Sequence, residues 1–548
     1  MSHTKINLLT EDLRIAEKEI DLHYESNPLV KNNFAYSAWT LLAVAEDSIV
    51  VPQIRDFLKN KKRGLQLEAL IADYFINNLN YPLRWLYNSC PFEGVLPFTF
   101  NDDAYQAAYN LFKLGENYNL FVVIFSYASQ GFIELKLEGT SIVPSNRLSP
   151  TLKYEAYNRL IRSSSKYPKL NSEEFPAELI LSTLRISDDR FKYDLNPKIV
   201  SKATQFFKPF LEPMFTLPNT WEFSNFSLED FRKVFETMYA ISYIHFITRL
   251  LAASRGCVGL GYVDGLLVMS KDEILRRIVR YSGLNEIKIS IILEYLTYGS
   301  IGVTNPDPAL QPLIQFNNNT YGIVPHLWIN NAAERNLTRL INRIPADRDS
   351  YSRLVRQKEE VMRNRIKDSL SKRRFRLAYG HIPHCDGLPD IDLGLIDDSD
   401  KSLLLLELKW FIEPAEVREV IEKNEELRGG ILQLLKIKKS FIEQNKFLFE
   451  MLNIDKSYEI GFAIVSENWI GLDNIQHPEA PIILERHLIS KIKETKTLKG
   501  VIEWLQKRSY LPEEGVHFKI VNMNSSIGKW LGNWYGIEPL ISEDFYPL

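Results

Sequence analysis

The chain has 548 residues, 45% apolar, 12% aromatic and 25% charged, with a formal net charge of -3 from 66 basic and 69 acidic side chains. Those proportions exclude a disordered, fibrous or membrane-embedded chain and leave two to four compact domains. A chain so near neutrality has no overall field to attract nucleic acid, so any such partner must be read locally. Three cysteines, Cys90, Cys257 and Cys385, lie far apart without the CxxC pairs of structural zinc. They are too few to staple a chain this long, and a reducing cytoplasm is expected. The first twenty residues carry charges throughout where a signal peptide needs an apolar core, and no run reaches the ~18 apolar residues of a membrane span, so a soluble protein is expected.

In chain order, apolar positions over residues 52–79 recur at helical spacing, whereas residues 119–127 and 132–137 read as two strands joined at Ser129-Gln130-Gly131. A mixed α+β region of unknown role is therefore expected over residues 1–200. Residues 201–345 read as mainly helical, with a long helix over 228–253. Ser270-x-x-Glu273 opens another helix as a capping box. A further helix and a hairpin around Asn317-Asn318-Asn319 follow, the order of a winged helix, although the second helix offers only Lys288 as a basic residue. The cluster Pro345-Ala346-Asp347-Arg348-Asp349 makes the best boundary in the chain. His245 lies on an apolar helical stripe and reads as a core histidine. The closely spaced His381, His384 and Cys385 read as a loop ahead of the next strand.

Residues 346–548 have another character. Helix (351–371), strand (375–379), strand (390–396), strand (402–410), helix (415–444) and strand (458–465) alternate, which means a mixed central sheet flanked by helices. The run Leu403 to Leu406 marks a strand covered on both faces, yet Glu407 and Lys409 interrupt it and point to the same side. An unpaired charge there would cost several kcal/mol. The preceding strand offers Asp390 and Asp392 on one face. Three carboxylates and an amine can thus converge. Hard oxygen ligands suit Mg²⁺ or Mn²⁺, and a lysine can orient water or neutralise charge on phosphorus. The structural alternative is an ion-pair network at a sheet end.

With Pro389-Asp390-x-Asp392 followed by Glu407-x-Lys409 in this order of elements, residues 350–465 resemble the PD-(D/E)XK nuclease superfamily. The resemblance implies a restriction-endonuclease-like α/β domain following the α+β and helical part of a multidomain chain. It places the metal-binding aspartate on Asp392, inside an apolar strand segment, in preference to Asp390, and the glutamate and lysine on Glu407 and Lys409. Some branches add a glutamine on the next helix, where Gln433 stands, although Gly429-Gly430 just before it suggests a helix break. Many members also bring a carboxylate from the helix before the strands. With Val355 set at about 0°, Met362, Ile366 and Leu370 fall at about 340°, 20° and 60°. Glu359 falls at about 40°, within that stripe, and Glu360 at about 140°, on the solvated face. Glu359 is the expected fourth acid.

Ten basic residues stand against three acidic ones between Arg353 and Arg376, a local excess of +7. Arg363, Lys367, Lys372, Arg373 and Arg374 are the expected phosphate contacts, the alternative being a solvated helix face. The reading is a Mg²⁺- or Mn²⁺-dependent DNA endonuclease of the prokaryotic restriction, phage-defence or repair kind. One such site cuts one strand, so a homodimer or partner subunits would be needed to cut two. A non-catalytic DNA-binding or scaffold protein on the same fold, and an RNA-cleaving version, are the competing readings.

Overall fold

The computed structural model describes residues 9–59, 65–163, 177–215, 217–344, 347–370, 375–385, 387–411 and 417–540, together with residues 175, 413 and 414. The chain is α+β, with helices predominating through the first 340 residues and mixed sheets elsewhere.

The helical part is assembled around Phe34–Leu58, Leu65–Ser89, Asp102–Ser129 and Leu228–Ser254. The expected strand over residues 119–127 is instead the last third of the Asp102–Ser129 helix. Its β-branched and aromatic content favours a strand locally, but Asn101 caps the helix through the Ala104 N–H, and Leu111, Phe112, Phe121, Ile124, Phe125 and Ala128 are buried at helical spacing. Packing overrides propensity here. Phe34–Leu58 is, among the described residues, the one helix long and apolar enough by length and composition to cross a membrane, and 83% of its most apolar window is buried inside the protein. Its Glu46 and Asp47 are buried too. Glu46 accepts from His326 Nδ1 at 2.6 Å, and Asp47 meets Arg249.

Residues 228–323 run helix (Leu228–Ser254), strand (Leu267–Ser270), helix (Lys271–Ser282), helix (Glu286–Leu296) and hairpin (Leu313–Asn317, Thr320–Ile323). The last strand of the hairpin lies between the other two. Ser270 caps its helix through the Glu273 N–H, but the Glu273 carboxylate turns to Arg277, so the expected box is half made. Lys288 is spent on Asp230 at 2.8 Å.

The second core surrounds a five-stranded sheet in the order Ile482–Leu484, Glu459–Ser466, Ser402–Lys409, Ile391–Asp397, Arg376–Gly380. The first two pairings are parallel and the last two antiparallel. The central strand, Ser402–Lys409, is buried through Leu408. Helix Val417–Ile442 packs on the face carrying Glu407 and Ile464, and helix Leu498–Gln506 on the opposite face, where Ile502 meets Gly461.

Two segments cross the expected boundaries. Helix Lys153–Ser163 packs Tyr154, Tyr157 and Leu160 into the second core, and Asn158 bonds the backbone of Ile470 and Gly471 there. Conversely, the hairpin Phe518–Ile527 and Trp530–Pro539 leaves that core. Its second strand pairs in parallel with Ser141–Pro144, which pairs in turn with Leu135–Glu138. Ile527 and Trp530 pack there with Phe121 and Ile124.

Candidate functional site

The aspartate strand Ile391–Asp397 and the glutamate strand Ser402–Lys409 pair from Asp397–Ser402 as far as Leu393–Leu406. Beyond that point the strands part. The Leu408 N–H, which a continued ladder would have bonded to backbone, donates instead to the Asp392 carboxylate at 2.8 Å. The parting of two buried strands makes room for side chains, and the sequence fills the room with charge.

Glu407 is only 3% exposed and accepts from Lys409 Nζ at 2.7 Å. Its carboxyl also shares a hydrogen bond with that of Asp392. Lys409 donates further to Gln433 Oε1 at 3.4 Å. Burial, and then the Asp392 charge, push the Glu407 carboxyl up to about 7. Burial raises Asp392 as well, against the pull of the Leu408 N–H. Burial works against the charge of Lys409, but Glu407, Glu359 and Asp392 together hold its ammonium above the ordinary lysine value.

The helix Val417–Ile442 continues unbroken through Gly429-Gly430, so the expected break is absent. A Cβ at Gly430 would stand 3.1 Å from Lys409 Cε and 3.3 Å from Glu407 Cγ. The glycine is there because the helix passes directly over the pair, and the following turn delivers Gln433 to it.

The other expected residues divide. Asp390 is exposed, precedes the strand, and pairs with His381 at 3.0 Å, apart from the Glu407 group. Cys385 bonds Asn445, and the His384 ring lies on Phe447. Glu359 is exposed, not buried in the apolar stripe as expected, yet it faces the site closely enough to act electrostatically on Glu407 and Lys409. The buried row on the helix Arg348–Ser369 is Leu354, Lys358, Met362, Ile366 and Leu370. Such a row advances about 40° every four residues, so a stripe set by Met362, Ile366 and Leu370 lies too far round the helix to describe the earlier turn that holds Glu359. The buried ionisable side chain of this helix is Lys358, 2% exposed, with Nζ 2.7 Å from the Trp410 ring centre and 4.4 Å from that of Trp221, and burial pushes its ammonium down to about 6. The unbroken i, i+4 row was a signal that could have found it.

Of the expected phosphate contacts, Lys372, Arg373 and Arg374 lie outside the described residues. Arg363 and Lys367 both stand over the Tyr379 ring, at 5.0 and 4.7 Å, and Arg363 also acts on Asp392. Arg365 and Arg376 are committed to Glu485 and Asp398.

Among the described residues no three His, Cys, Asp or Glu side chains form a cluster ready to hold a metal. Mg²⁺ asks for less, since it takes one or two carboxylates and keeps water for the rest. Two hydrogen-bonded, largely buried carboxyls, with more acid than base around them, are a donor set that a hard cation would relieve. The chain matches no protein-family model, no curated protein and no solved structure.

Proposed function

We propose that the chain is a metal-dependent nuclease that hydrolyses phosphodiester bonds in DNA on a restriction-endonuclease-like domain, in restriction, phage defence or repair. The observation that carries this reading is the meeting of Asp392, Glu407, Lys409 and Gln433 where two buried strands part. Asp392 and Glu407 would hold the cation, with Glu359 at the rim. Mg²⁺ or Mn²⁺ bound there supplies an acidified water and neutralises charge on the phosphate. Lys409 carries three N–H donors. Glu407 and Gln433 take two and fix the direction of the third, which can reach an attacking water or a phosphate oxygen. Glu407 thereby positions the lysine as well as contributing charge. Arg363 and Lys367, side by side over Tyr379, suit a polyanionic substrate.

The test is cleavage of DNA and of RNA by the full chain in Mg²⁺ and in EDTA, with Lys409→Ala as control. Cleavage in Mg²⁺ alone, reduced roughly 10²-fold or more by the substitution while binding persists, is expected. Cleavage that survives Lys409→Ala would end the assignment at this site. DNA binding without cleavage under any metal would favour the non-catalytic reading.

A further inference from the structure

Tyr379 lies on Arg376–Gly380, the outermost strand of the five, one strand from Asp392. The ladder to the aspartate strand pairs Ala378 with Gly394 and Gly380 with Ile391, and its register shifts between them. Tyr379 therefore sits level with the Asp392 end of that strand. Its side chain is 47% exposed, and Leu377, two residues earlier on the same face, is 36% exposed. Two cations from successive turns of one helix, Arg363 and Lys367, cover the ring from the helix side. Arg363 is close enough to Asp392 to act on its carboxyl. One arginine thus borders both the aromatic ring and the acid site.

From this juxtaposition we infer that Tyr379, with Arg363 and Lys367, is a stacking platform for an unpaired base next to the bond to be cut, so that the substrate of the proposed site is a single-stranded segment. This rests on the nuclease reading and names its substrate class. A ring at a sheet edge can stack only on the face of a base that is not already stacked within a duplex. The cations beside the ring meet the phosphates on either side of that base. Charge complementarity and continuity with the acid site select a nucleic acid strand as the occupant.

The test is fluorescence anisotropy of the full chain in EDTA, where no cleavage complicates binding, with one labelled sequence as single-stranded DNA, single-stranded RNA and DNA duplex. Single strand should bind more tightly than duplex, and the tighter of the two single strands identifies the sugar. Tyr379→Ala should weaken single-strand binding by about tenfold, the scale of one stacked base, and leave duplex binding unchanged. Tyr379→Trp should retain it, which a merely structural tyrosine would not predict. Equal weakening on single strand and duplex, or none on single strand, overturns the platform. In Mg²⁺, failure to cleave any substrate despite Tyr379-dependent single-strand binding would sink the hydrolytic reading alone. Cleavage that is indifferent to Tyr379→Ala on single-stranded substrate would sink the platform alone.

Discussion

Buried charge occurs in both cores, and it is arranged in opposite ways. In the helical core three buried acids meet a base, Glu46 with His326, Asp47 with Arg249 and Glu334 with Arg232, while Asp347 accepts from the hydroxyls of Ser224 and Tyr295. At the parting strands Asp392, Glu407 and Glu359 face Lys409, with Arg363 further out. A raised pKa does not by itself separate the two, because burial lifts the Asp47 carboxyl too, against Arg249. What separates them is the balance of charge. Matched pairs fix one packing of helices, whereas unmatched acid stores a demand for a cation.

The comparison breaks most sharply on the matched side. Arg249→Met leaves Asp47 buried without its cation and should destabilise the protein by about 3–5 kcal/mol, measured by denaturant unfolding, with the remaining folded fraction keeping its activity. A loss below about 1 kcal/mol would mean that the helical core does not depend on its pairs.

On the unmatched side the sign reverses. The folded Glu407 carboxyl binds a proton up to about pH 7, whereas an unfolded glutamate releases it near its ordinary value. The stabilisation from holding that proton is complete below the unfolded value and is lost as pH rises through 7. Glu407→Gln in EDTA should therefore be more stable than the parent at pH 8, on the order of 2 kcal/mol, and indistinguishable from it near pH 4.5. It should also be inactive. A variant less stable than the parent at pH 8 would place Glu407 among the matched pairs.

Two smaller effects sharpen the contrast. Gly430→Ala improves helix propensity by up to about 1 kcal/mol, yet its Cβ must displace Lys409 and Glu407. Activity should fall about tenfold, in kcat more than in KM, without loss of stability. Asp390→Asn, at an exposed carboxylate paired with His381, should change cleavage and stability by less than about twofold.

Much of the sheet was legible because its signals are local. The Leu403–Leu406 run and the alternation around Asp392 gave strand bounds within a few residues of those observed. Asp392, Glu407 and Lys409 were legible as a group because strand order and side-chain parity bring them together, whereas Gln433 was expected only from the family resemblance. What was not legible depends on partners distant in sequence. The helix through residues 119–127 is decided by what it packs on, and the burial of Lys358 by Trp221 and Trp410. Glu359 was misplaced by a stripe read from later turns of its helix. Nothing near Tyr379 in sequence announces the two cations above it.

The parallel pairing of Ser141–Pro144 with Trp530–Pro539 sets an order of events during synthesis. Ile142 is fully buried, and the strand that pairs with it in parallel is made almost 390 residues later. At a ribosome rate of roughly 5–20 residues per second, the early hairpin waits some 20–80 s for that partner. Helix Lys153–Ser163 waits in the same way for the sheet it covers. Each half of the molecule thus holds a piece that the other half needs, and a nascent chain released before the late hairpin emerges lacks a closed first core.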